Sequence, residues 1–181
     1  LTWGNTETVV ELVHRIGKRE GIGRILGEGV RHASQEIGRG SDRFAIEVKG
    51  LEGPAHDGRS GKVLAVMYGV GNRGMCHIHP LEGMAYDSKK EDFGLVPYGV
   101  PNPNTVDRFV EADKGRIATK LQDFGILPDI LGICKFYVYN NLGPTEIAEL
   151  TSLLTGWDID GNELLSIGER VWNLQRMFNI R

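Results

Sequence analysis

A chain of 181 residues, with 40% apolar and 25% charged side chains, has an ordinary globular composition and enough length to bury a core in one domain or two small ones. Its net charge of −3 and pI near 6.0 give no support to nucleic acid or an anionic membrane as a partner, either of which would need a basic face. Residues 1–20 contain no apolar secretory core, and no run approaches the ~18 apolar residues of a membrane span. Two cysteines, Cys76 and Cys134, are too few for a secreted disulfide framework, so a reducing, cytoplasmic setting is expected. The chain opens on Leu1 without a methionine and closes on Phe178-Asn179-Ile180-Arg181, which reads as a piece of a longer protein.

The pattern predicts a first helix over residues 6–19, capped by Asn5 or Thr6, with Glu7 at the positive end of the helix dipole. Val9, Leu12, Val13 and Ile16 share one face of it, and Gly21 and Gly23 break the run. A second helix is expected over 24–37, with Ile25, Leu26, Val30 and Ala33 facing inward. Residues 43–48 suggest a strand too short to seed a sheet, and 49–54 read as a turn. A nearly all-apolar helix is expected over 61–68.

Residues 69–103 are rich in Gly and Pro, and the density of Cys, His, Arg and Tyr there argues for function rather than disorder. Helical patterning resumes over 105–124. The apolar, aromatic stretch 130–139 reads as a buried helix, and Pro144 suits the first position of a helix over 144–154. The last helix repeats Leu164, Ile167, Val171, Leu174 and Phe178 at steps of three and four, flanked by Trp172. Six or seven helices with little strand make the class mainly α and multihelical. Two domains are expected, 1–103 with its long irregular loop region and 104–181.

Three constellations carry chemistry. In Asp129-Ile130-Leu131-Gly132-Ile133-Cys134, a carboxylate, a glycine and a thiol fall within six residues after Pro128. Pro128 disfavours helix at Leu127 and opens the next one, placing Asp129 at a helix N-terminus. The simplest reading makes Asp129 a first-turn acid and Cys134 a small buried hydrophobe. The functional reading has Asp129 accepting N–H bonds from a cofactor, Gly132 admitting a flat ring, and Cys134 ligating a metal cluster as thiolate. One cysteine cannot hold a cluster alone, so that reading requires partners elsewhere.

The second constellation is Asn72-Arg73-Gly74-Met75-Cys76-His77-Ile78-His79, where Cys76, His77 and His79 are potential metal ligands without an evident fourth. Either histidine also suits acid–base work. The third, Lys49-Gly50-Leu51-Glu52 with Pro54, Asp57 and Arg59, reads as a salt-bridged corner. No phosphate-binding loop and no nucleophile elbow is present, so neither nucleotide binding nor serine hydrolysis has support.

In order along the chain, these segments resemble the tungsten-containing aldehyde ferredoxin oxidoreductase family. The resemblance runs through Trp3-Gly4-Asn5, Arg19-Glu20-Gly21-Ile22-Gly23, Gly27-Glu28-Gly29-Val30 and Val48-Lys49-Gly50-Leu51-Glu52 with Pro54, Asp57 and Arg59. It continues in Asn72-Arg73-Gly74 with His77, and in Asp129 with Gly132 and Cys134. It ends in Thr155-Gly156-Trp157 and Gly168-Glu169-Arg170 with Trp172-Asn173-Leu174, Arg176 and Phe178-Asn179.

The resemblance implies the two packed all-α C-terminal domains of an enzyme that oxidises aldehydes to carboxylic acids and passes electrons to ferredoxin. It implies tungsten held by two pterins (tungstopterin) beside a [4Fe–4S] cluster, a missing N-terminal domain, and homodimeric assembly as an expectation. Asp129 matches the carboxylate that binds a pterin's amino and ring N–H groups, and Ile133 a position whose backbone helps hold it. Cys134 matches the cluster ligand between cluster and pterin. His77 matches the active-site histidine, with His79 its close competitor.

The other three cluster cysteines, the first pterin-binding aspartate motif and the catalytic glutamate have no counterpart here. The segment alone is therefore expected to bind neither cofactor and to be inactive. A tungsten-dependent acyl-CoA reductase subunit and a non-catalytic helical scaffold are the competing readings.

Overall fold

The computed structural model describes residues 2–79, 81, 83–88, 91–140 and 142–180. Nine α-helices and a single two-stranded hairpin make up its regular structure among those residues, so the mainly α, multihelical class is borne out. Contacts gather into two units, Leu1–Gly53 and Pro54–Arg181. The domain division expected at residue 103/104 lies within the second unit, and as a division of a longer protein it stays a proposal. No helix among the described residues is long and apolar enough to cross a membrane.

The first unit holds α1 (Thr6–Lys18), α2 (Ile22–Leu26) and α3 (Val30–Ile37). Asn5 caps α1 by accepting the Thr8 N–H at 3.0 Å, and Arg19 ends it in the left-handed conformation. The single helix expected over 24–37 is two helices. Gly29 sits at φ 93, and the freed Val30 N–H donates to the Glu52 carboxylate at 2.8 Å. Glu52 comes from the hairpin β1 (Glu47–Val48) and β2 (Leu51–Glu52), whose tip is formed by Lys49 and Gly50 at positive φ. The strand expected over 43–48 is thus reduced to its last two residues, because Ser41–Phe44 forms a 3₁₀ turn. Ala33 is the unit's one buried apolar side chain among the described residues, and Val9, Val10 and Val13 of α1 stay exposed.

The second unit carries the hydrophobic core. α4 (Lys62–Val70) and α6 (Lys114–Gly125) pack together, α6 also packs on α9 (Gly161–Asn179), and α8 (Pro144–Thr155) packs on α9. Leu64, Ile117, Leu121, Phe124, Leu127 and Ile147 are fully buried. α6 and α9 meet so closely that a Cβ at Gly168 would collide with the Asp123 carbonyl oxygen. Asp87 is buried beneath α4 and accepts the Leu64 N–H at 3.1 Å, serving as a remote cap.

Three expectations need correction here. The helix expected over 105–124 begins only at Lys114, because Asp107 accepts the Phe109 N–H at 2.8 Å in a local turn that competes with helix. The irregular region 69–103 contains α5 (Gly83–Asp87) and a 3₁₀ turn at Val96–Tyr98; its residues Pro80, Glu82, Lys89 and Lys90 lie outside the described set. The buried helix expected over 130–139 is neither continuous nor buried. α7 (Leu127–Leu131) stops at Gly132, which takes φ 72, and the chain resumes as a 3₁₀ helix at Lys135–Asn140. Ile130, Leu131, Phe136 and Tyr137 are exposed. In α9 the repeat is buried at Leu164 and half-buried at Ile167 and Val171, but Leu174 and Phe178 face solvent; the flanking Trp172 is buried.

Candidate functional site

The polypeptide between α6 and the Lys135 turn changes character at one residue. Residues 121–128 are all buried, ending with Pro128 in the first turn of α7. Asp129 follows in the same turn with its carboxylate 40% exposed. Gly132 closes the helix in the left-handed conformation, and a side chain built there would meet nothing within 4 Å. The backbone at Gly132 is therefore uncrowded on that side. Ile133 donates its N–H to the Pro128 carbonyl at 2.9 Å. Cys134 is a free, exposed thiol, not the buried hydrophobe of the simplest reading.

The histidine loop follows α4 and is fastened to α9. Asn72 is buried and donates from Nδ2 to the Trp172 carbonyl at 3.1 Å, while Asn179 donates back to the Asn72 carbonyl at 2.9 Å. These two bonds fix where the following residues run. The three potential ligands of the loop then part company. Cys76 lies 3.8 Å from the Arg73 guanidinium. His77 stacks on His56, ring centroids 4.4 Å apart, and His56 in turn places Nδ1 2.9 Å from the Met84 sulfur.

His79, only 12% exposed, turns toward Asp129, with Nδ1 3.5 Å from Oδ2. Its Nε2 pairs with Oε1 of Gln175 at 3.4 Å, and its ring lies 5.8 Å from that of Trp172. Burial first, and the Lys135 charge second, hold this imidazole below its ordinary value, against the opposing pulls of Gln175 and Asp129. Among the described residues no three His, Cys, Asp or Glu side chains gather to hold a metal ion.

Beside His79 opens a cleft of about 480 Å³, lined by Asn72, Arg73, His79, Leu174, Gln175, Phe178 and Asn179. Sequence reasoning singled out Asp129, Ile133, Cys134 and His77. It missed Gln175 and Lys135, and it ranked His79 behind His77. Nothing in the chain announces Gln175, a polar residue on a helix. Lys135 carried a signal in its place directly after Cys134. The structure brings Asp129, Lys135, His79 and Gln175 into one connected group and seats His77 against His56 instead.

The fold and this group define a helical module that offers one carboxylate and one thiol on an exposed turn, backed by a histidine loop. A family model described as "Aldehyde ferredoxin oxidoreductase, domains 2 & 3" matches residues 1–181. The chain is 33% identical over 180 residues to a tungsten-containing aldehyde ferredoxin oxidoreductase of Pyrococcus furiosus, and 34% identical over 179 residues to one of Pyrococcus abyssi. Each alignment takes in 99% of this chain and 27% of the relative. A Pyrococcus furiosus aliphatic sulfonate oxidoreductase, WOR-like subunit, is 41% identical over 64 residues, which is 33% of this chain and 10% of that protein. The chain belongs to the aldehyde ferredoxin oxidoreductase family, a family of tungsten oxidoreductases, and spans about a quarter of the length of the curated relatives it matches.

Proposed function

We propose that this chain is the C-terminal region of a cytoplasmic tungsten–pterin oxidoreductase that oxidises aldehydes to carboxylic acids, with ferredoxin as electron acceptor. The observation that carries the reading is the exposed turn at Asp129, Gly132 and Cys134, seated in a chain matched by the family along its whole length. Oxidation of RCHO with one water yields RCOOH, two protons and two electrons. When bound, tungstopterin and a [4Fe–4S] cluster would supply the acceptor and the relay for those electrons.

The chain's own residues fit that pair in part. Asp129 engages Oδ2 with Lys135 and keeps a side chain 40% exposed, which suits acceptance from the amino and ring N–H groups of a pterin. The Ile133 carbonyl is a second acceptor on the same turn. The Cys134 thiol is accessible as the cluster's fourth sulfur ligand, adjacent to the pterin-binding acid. His77, braced by His56, is assigned to holding or passing a proton at the substrate; His79 is its competitor and contacts the pterin-binding acid directly.

Three tests bear on the reading. The gene segment upstream is expected to encode three further clustered cysteines and a second aspartate motif, and their absence would sink it. The full-length protein should contain tungsten and iron and reduce ferredoxin with an aldehyde; reduction with an alkanesulfonate or acyl-CoA chemistry instead would reassign the substrate. The 181-residue chain alone should carry neither metal, so stoichiometric tungsten and iron in it would refute the division of the site between two segments.

A further inference from the structure

Lys135 is used by none of the assignments above. It follows Cys134 directly, yet its side chain is only 19% exposed. A lysine is withdrawn from water to this degree only where its ammonium is satisfied. Here Nζ donates to Oδ2 of Asp129 at 2.8 Å and to the Ile78 carbonyl at 3.1 Å. The first acceptor belongs to the exposed turn. The second belongs to the histidine loop, between His77 and His79. His79 braces the same Oδ2 from 3.5 Å and is itself paired with Gln175 of α9. Asp129 Oδ1 takes no part in these bonds.

We propose that Lys135 is a positioning residue that ties the pterin-and-cluster turn to the histidine loop, fixing both the direction in which Asp129 presents its carboxylate and the separation of the loop histidines from that turn. The inference rests on the proposed function, which gives Asp129 its pterin role. A half-exposed carboxylate that moved among rotamers would have to be ordered each time it bound a heterocycle; one already held by an ammonium is preorganised. Bonds from an ammonium to a carboxylate and a carbonyl are charge-assisted and stronger than neutral ones. The donors of an ammonium diverge, so one lysine reaches two acceptors in different planes, whereas the planar fork of arginine matches two acceptors in one plane.

The test uses the full-length protein with Lys135→Met, which keeps the stem and removes the donors, and Lys135→Arg, which keeps the charge. Iron, tungsten and released pterin are measured, with electron paramagnetic resonance of the cluster and the tungsten centre. The expected result for Lys135→Met is iron and cluster signal at the wild-type level, with pterin and tungsten retention reduced roughly tenfold or more, the scale of a lost charge-assisted bond. Lys135→Arg should recover a large part of that retention with an altered tungsten signal.

Lys135→Gln, which keeps one neutral donor, is a milder variant should Lys135→Met not yield folded protein. Intermediate pterin content with unchanged iron supports the tether. Wild-type tungsten and pterin content in both the Met and Gln variants overturns it, as does parallel loss of iron and pterin in every variant. Wild-type protein lacking tungsten and pterin altogether overturns the proposed function itself, a result distinct from either.

Discussion

Residues 121–128 are all buried, and none of residues 129–137 is, although the second stretch is nearly as apolar as the first. Leu121, Phe124 and Leu127 find α4 and α9 within the same unit. Ile130, Leu131, Phe136 and Tyr137 find nothing comparable and stand 37–74% exposed. The first stretch is completed by this chain. The second has the composition of an interior and the accessibility of a surface, as expected of a face finished by another segment and a bound group. The residues with chemical potential, Asp129 and Cys134, fall on the second side of that divide.

The contrast is broken most severely at the core. Phe124→Ala should cost about 3–5 kcal/mol in this chain by urea denaturation, as full truncation of a buried aromatic does. Phe136→Ala should cost less than about 0.5 kcal/mol, as at an exposed site. Similar losses at the two positions would show that the exposed stretch packs in solution. Next in size is Gly168→Ala, where a methyl group would be driven against the Asp123 carbonyl; about 1–3 kcal/mol should be lost, and a neutral result would mean that α6 and α9 separate easily.

Asp123 offers a smaller, pH-dependent effect. Burial pushes its carboxyl up to about 6 from the ordinary 3.8, against the pull of Lys120 at 3.6 Å. The folded state therefore binds this proton more tightly than the unfolded chain. Stability from this group is present below pH 4 and is lost as pH rises toward 6, by at most about 3 kcal/mol. Asp123→Asn should be about 1 kcal/mol more stable than wild type at pH 7 and no more stable at pH 4, measured by thermal unfolding at both. A larger advantage at pH 4 would reverse the assignment. The smallest effect belongs to Cys134→Ser in this chain, within about 0.5 kcal/mol, because the thiol is exposed.

How far the sequence could be read follows from where each signal resides. α1, α8 and α9 were legible because their signals are local: Asn5 lies just before α1, Pro144 is the first residue of α8, and α9 carries its own apolar repeat. The break between α2 and α3 was not, since the group that satisfies Val30 is Glu52, supplied from a hairpin later in the chain. Apolar residues 130–139 read as buried because hydrophobicity reports what a segment can bury, not whether its cover is present. Gly132 was the local warning, a residue that ends a helix in the left-handed conformation. The segment from Asp129 to Cys134 was legible as a compact motif. Its connection through Lys135 to Ile78, and through His79 to Gln175, was not, because contacts between distant stretches leave no spacing rule to find.

Asp129 and Cys134 are proposed as one half of a pterin-and-cluster site. Electron paramagnetic resonance of the reduced full-length protein carrying Cys134→Ser tests it most directly. The iron–sulfur signal should be abolished or altered while the protein remains folded. An unchanged iron–sulfur signal would contradict it and return Cys134 to an ordinary surface thiol.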